Sequence, residues 1–148
     1  ELGKMACIVN LIANDPNEDV TNIANKIAKH ITAAKPLAIN ESSLKPDLIS
    51  NEKEIYEAQL KESGKPESII DKIVDGKIKK FLTEVTLMNQ NWIIDPSLKV
   101  KDIINNFNKK NNTNIVVDDF KLFVLGEGIE IEQKNFSEEV ASQINNTS

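Results

Sequence analysis

Gly64-Lys65-Pro66 separates two long segments whose apolar residues recur at helical spacing, and no other feature restricts the fold as much. Upstream, PDLISNEKEIYEAQLKES aligns Leu48, Ile49, Glu52, Ile55, Tyr56, Gln59 and Leu60 along one stripe. Downstream, PESIIDKIVDGKIKKFLTEVTLM aligns Ile69, Ile70, Ile73, Val74, Ile78, Phe81, Leu82, Val85 and Met88. Glycine tolerates the left-handed backbone just past a helix end, and proline suits the first position of the next helix. The chain is therefore expected to double back as a coiled-coil-like helical hairpin over 45–90, its apolar residues chiefly zipping the two helices together. Gly76 is a place where the second helix can break or kink. An arm of this kind serves reach and contact better than catalysis.

The flanks read as a mixed domain. KMACIVNLIA has strand composition. A helix is expected from Asn17 to Ala34, with Val20, Ile23, Ala24, Ile27, Ala28 and Ile31 on its apolar face, ended by Lys35-Pro36. PLAI is a second, short strand candidate. Beyond the arm, Asp95-Pro96-Ser97 is a turn, and Val100, Ile103, Ile104 and Phe107 mark a helix over Lys99–Lys110. NIVVDDFKLFVL reads as a long strand, bulged at Asp118-Asp119 where its alternation falters. After Gly126-Glu127-Gly128, NFSEEVASQI reads as a short terminal helix displaying Phe136, Val140 and Ile144. The expected fold class is α+β: a small three-stranded antiparallel sheet covered by helices, with an inserted arm. The core subdomain takes 1–44 and 91–128, the arm 45–90 and a C-terminal module 129–148.

Catalytic chemistry is hard to find. The single histidine excludes a His-rich metal site, and Cys7 lies in an apolar stretch that favours a buried, inert thiol. His30 sits near a helix end, where a structural role outweighs that of a catalytic base. There is no phosphate-binding loop or nucleophile elbow, so no cofactor is expected. Carboxylate pairs such as Glu52/Glu54 and Glu138/Glu139 sit in polar helical stretches and read as solvated faces. Net charge is −5 and every cation is Lys; without the forked donors of Arg, nucleic acid is a disfavoured partner. The longest apolar run, Met5 to Val9, is too short to cross a membrane, and a cytosolic protein is expected. Contact surfaces remain: the arm, the sheet and the terminal helix.

The residues carry a family resemblance. EKEIYEAQLKESGKPESIIDKIVDGKIKKFLTEVTLMNQNWIIDPSLKV resembles the arm and following helix of the elongation factor Ts family. IAKHITAAKP, with His30, Ala33, Ala34 and Pro36, resembles its passage from helix to strand. FVLGEGIE is similar to its last core strand and turn, and NFSEEVASQ to its C-terminal module. The resemblance implies a non-enzymatic guanine-nucleotide exchange factor for the translational GTPase elongation factor Tu. Such a factor binds the GDP form, loosens the nucleotide and leaves an empty GTPase that reloads with GTP.

It further implies that Gly3, Lys4 and Met5 lie near the third domain of the GTPase. Phe136, Glu139 and Val140 of the terminal module would meet its nucleotide-binding domain. Tyr56, Phe81 and Leu82 are implied in arm packing or in self-association as a homodimer. The family's small helical N-terminal domain has no counterpart in this sequence. Nor has its Thr-Asp-Phe-Val motif, whose Phe is the wedge. The chain reads as the C-terminal core and dimerisation region, cut at its start, which docks but lacks the wedge. Glu1 or Leu2 stands where the family has a histidine, Asn91-Trp92 where Pro-Phe is usual, and Lys121 where Arg is common. The alternative is an α+β interaction module that associates through its arm and meets no GTPase.

Overall fold

The computed structural model describes residues 4–62, 64 and 66–125. They are arranged as strand β1 (Met5–Ile12), helix α1 (Glu18–Ala34), helices α2 (Pro46–Lys61) and α3 (Glu67–Val85), helix α4 (Val100–Asn111) and strand β2 (Val116–Val124). Short 3-10 turns at Glu41–Ser43 and Leu87–Asn89 mark the two feet of the α2–α3 hairpin.

Local chemistry sets the boundaries. The Asn17 side chain accepts the Val20 N–H at 3.0 Å and opens α1. At its other end Lys35 takes the left-handed conformation (φ 46°) and donates its N–H to the Ile31 carbonyl. Pro46 occupies the first turn of α2, and Gly64 turns the arm with φ 68°. Helix α3 runs without interruption through Gly76, so no break occurs there. For α4, Asp102 accepts the Lys99 N–H at 3.0 Å. Asn108 exchanges two hydrogen bonds with the backbone of Ile115, pinning the start of β2 to the helix before it.

β1 and β2 pair antiparallel, from Met5 opposite Val124 to Ile12 opposite Val116. The register slips where Asn10 faces Asp119 and Leu11 faces Val117, leaving Asp118 as the extra residue. The Asn10 side chain donates to the Asp118 carboxylate at 2.8 Å across this bulge. The irregularity thus falls where the sequence alternation falters.

The expectation of three strands is corrected: among the described residues the sheet has two. The PLAI segment makes only an isolated, parallel bridge, Ala38 with Thr86. Pro36 has no N–H to donate, Lys35 bends the chain before it, and Asn40 starts a 3-10 turn after it, so no ladder can extend. Instead, Leu37 and Ala38 donate to the Val85 carbonyl, while Leu87 and Met88 donate back to Ala38 and Ile39. The segment clamps the foot of α3 to the chain leaving α1.

One core forms between the inner face of the sheet, α1 and α4. Ile27, Ile31, Leu87 and Val100 are fully excluded from solvent, joined by Val20, Ile23, Trp92, Ile104, Ile115 and Val117. Cys7, Val9, Leu11 and Phe120 close it from the sheet side. The arm is thinner: Ile70 and Val74 of α3 are buried, while α2 buries no residue completely.

Candidate functional site

Period-2 alternation in β1 and β2 sends every second side chain inward, and the outward set mixes apolar residues with Asn10, Asp119 and Lys121. Ile8 is 63 % exposed, Ile12 54 %, Val116 49 % and Phe123 56 %, with Leu125 just beyond. Singly exposed apolar residues are ordinary; here several share one sheet face, which makes it a candidate contact surface. The sequence held a signal for it. A half-solvated strand alternates, whereas KMACIVNLIA is apolar at nearly every position.

Lys4 and Met5, singled out by resemblance, lie at one end of this sheet. Lys4 is exposed and its carbonyl accepts the Leu125 N–H at 2.8 Å. Met5, 39 % exposed, also faces a shallow groove of about 590 Å³ between β1 and α1, lined by Cys7, Asn25, Ala28, Lys29, Thr32 and Ala33. Small residues on that side of α1 keep the groove open; their spacing was visible in the sequence, but their facing the strand was not. Gly3, Phe136, Glu139 and Val140 lie outside the described residues, as does the terminal helix assigned to them.

The three arm residues do not form one cluster. Tyr56 of α2 and Phe81 of α3 line a shallow cavity of about 250 Å³ with Lys77, Lys80 and Glu84. Lys77 places its ammonium 4.8 Å from the Tyr56 ring centroid, a cation–π contact across the hairpin. Desolvation first, then the hydrogen bond and charge of Glu52 and the charge of Glu84, push the Tyr56 hydroxyl pKa up. Leu82 stays apart from this groove, its carbonyl receiving the N–H and hydroxyl of Thr86 at the end of α3.

Two titratable groups take part in packing, Cys7 half-buried at the edge of the core and His30 inside it. Burial raises the Cys7 thiol pKa, a hydrogen bond with Thr32 opposing it in part, so Cys7 is protonated at neutral pH. His30 is fully buried and stacked on Trp92, ring centroids 5.1 Å apart and planes 17° from parallel. Burial lowers its pKa, with the hydrogen bond to Gln90 acting the other way. His30 is therefore a neutral core residue, and the helix dipole does not hold it charged. Among the described residues no three His, Cys, Asp or Glu side chains are grouped to hold a metal ion. No helix among them is long and apolar enough to cross a membrane.

Residues 1–127 match the family model described as Elongation factor TS. The chain is 39 % identical over 142 residues to elongation factor Ts of Rickettsia akari (strain Hartford), covering 95 % of this chain and 46 % of that protein. Elongation factor Ts of Clostridium acetobutylicum is also 39 % identical over 142 residues, covering 96 % of this chain and 46 % of its own length. The Rickettsia peacockii protein, at 40 % identity, gives the same coverage of 95 % and 46 %. The chain thus spans about half the length of the curated relatives it matches. With the match running unbroken through both strands, the arm and α4, this chain belongs to the elongation factor Ts family.

Proposed function

We propose that this chain is the docking part of a guanine-nucleotide exchange factor for elongation factor Tu, acting in translation in the cytoplasm. The single observation that carries the reading is the family match over residues 1–127. The physics of exchange fits the chain's inventory. An exchange factor lowers GDP affinity by binding the empty GTPase more tightly than the GDP-bound one, and the coupling is reciprocal. It needs contact area and a wedge, not acid–base groups.

The core of 1–44 and 91–128 meets the GTPase through the sheet end at Gly3, Lys4 and Met5. The apolar side chains of Phe123 and Leu125 beside that end support the assignment. The module at 129–148 adds Phe136, Glu139 and Val140 as a second contact. The arm at 45–90 offers the Tyr56–Phe81 groove, and separately Leu82 near the end of α3, for packing or for a second copy. The Thr-Asp-Phe-Val wedge does not occur in this sequence, so docking and nucleotide release are separable here.

Calorimetric titration of the chain into nucleotide-free elongation factor Tu, repeated with the GDP-bound form, tests this. Comparable binding to both forms, with little acceleration of GDP release, is the expected result. Absence of binding to either form would overturn the docking role. Fast GDP release driven by this chain alone would overturn the separation of wedge from platform.

A further inference from the structure

The polar side chain at the arm's base has a bonding pattern that packing alone does not require. Gln90 is buried, just after the 3-10 turn that ends the arm. Its amide nitrogen donates to the Glu84 carbonyl at 2.7 Å and to the Ala34 carbonyl at 3.2 Å. These carbonyls belong to the last turns of α3 and α1, where helix geometry leaves acceptors unpaired and no basic residue is present in either turn. One amide therefore caps two helix ends. The Gln90 main-chain carbonyl also accepts the N–H of Val100, the first residue of α4.

The remaining atoms fix the orientation of the amide. Both amide hydrogens have carbonyl acceptors, so the oxygen must point at His30, whose Nε2 lies 3.0 Å away. The Ile93 N–H donates to His30 Nδ1 at 3.4 Å, so the ring proton sits on Nε2 and is donated to Gln90. Trp92 covers the ring. Turning the amide over would set its nitrogen against the Nε2–H and its oxygen against two carbonyls.

The arm is also attached through the main chain, where Leu37 and Ala38 donate to Val85 while Leu87 and Met88 donate to Ala38 and Ile39. Those bonds gather on one short stretch of backbone; the Gln90 side chain adds a tie from the last turn of α3 to the end of α1. We propose that Gln90 is the positioning residue that sets the direction in which the helical arm leaves the core, with neutral His30 holding its amide in register. This inference does not depend on which partner the chain docks.

The test is a distance measurement by pulsed electron resonance on the full chain in a Cys7→Ala background. One nitroxide goes on Ser68→Cys near the arm tip and one on Asn106→Cys of α4. A core control pair uses Asn22→Cys with Asn106→Cys. The arm pair is expected to give one narrow distance, which Gln90→Met replaces by a broad distribution while the control pair stays narrow. If Gln90→Met does not fold, Gln90→Glu serves: it keeps the length and the acceptor for His30 and sets a carboxylate oxygen against the two carbonyls in place of the donors. A narrow, unshifted arm distance in the folded variant would overturn the proposal and leave the direction to the bridge and to packing.

Discussion

Helices α1 and α2 differ by one residue in length, 17 against 16, yet they are held in place by different means. Helix α1 buries Val20, Ile23, Ile27, His30 and Ile31 against the sheet and the rest of the core, while α2 buries none of its residues completely. Burial removes apolar area from water on all sides in the first case and along one seam in the second, so each arm residue gains less. The arm makes up for this with its turn, with a cation–π contact and with its clamped base. Its exposed ion pairs, Lys53–Glu57 and Lys80–Glu84, contribute little in water. A thin hairpin tied at one end is a lever; a filled two-layer core is its mount.

Truncation at matched burial measures that difference directly. Ile27→Ala in the core, where the side chain is fully buried, is expected to cost about 3–4 kcal/mol, within the range for large-to-small changes in rigid cores. Ile70→Ala, 3 % exposed on the arm, is expected near the lower end, about 2 kcal/mol, because a two-helix seam can close over the gap. Urea unfolding followed by circular dichroism gives both numbers. Equal losses would mean that arm and core pack as one rigid unit.

The junction between the two regions carries a pH signature. The folded pKa of His30 lies below its ordinary value of 6.5, chiefly through burial. Above pH 6.5 the ring is neutral in both folded and unfolded chains, and its stabilising contribution is complete. As pH falls through that value the unfolded chain takes up the proton first, and stability is lost until the lowered folded pKa is reached. For one proton the slope cannot exceed about 1.4 kcal/mol per pH unit. Wild type should therefore lose more stability than His30→Phe between pH 7 and the acid limb. Emission from Trp92, the single tryptophan, reports the same event through the stacked ring. Parallel stability–pH curves for the two proteins would show that His30 titrates alike in both states.

The smallest effect is expected in the middle of the arm. Gly76 sits inside α3 with open space around the position of an added Cβ and helical backbone throughout. Gly76→Ala should raise stability by roughly 0.5–1 kcal/mol through lower unfolded-state entropy and better helix propensity. The matching change at the arm tip, Gly64→Ala, should go the other way because φ is 68° there. A destabilising Gly76→Ala would point to a functional bend in the arm that the isolated chain does not display.

What the sequence determined by itself was periodic and local. Stripes at helical spacing, the Gly64–Pro66 turn, the prolines and the faltering alternation at Asp118 act within a few residues. They placed the helices, the bulge and the arm close to where they are observed. They also carried the family resemblance, because the Gly-Lys-Pro turn and its flanks are short, contiguous strings. The tertiary structure alone decided what depends on separate segments meeting. PLAI reads as a strand, yet three residues between a proline and a turn form only a bridge. His30 reads as a structural residue near a helix end, and only the fold shows that Trp92 and Gln90, some 60 residues on, bury it. Gln90 gave no signal at all, since a glutamine's role is set by where the ends of α1 and α3 converge. Short-range patterns fix the elements because their energies are local; direction and burial are settled only when distant elements pack.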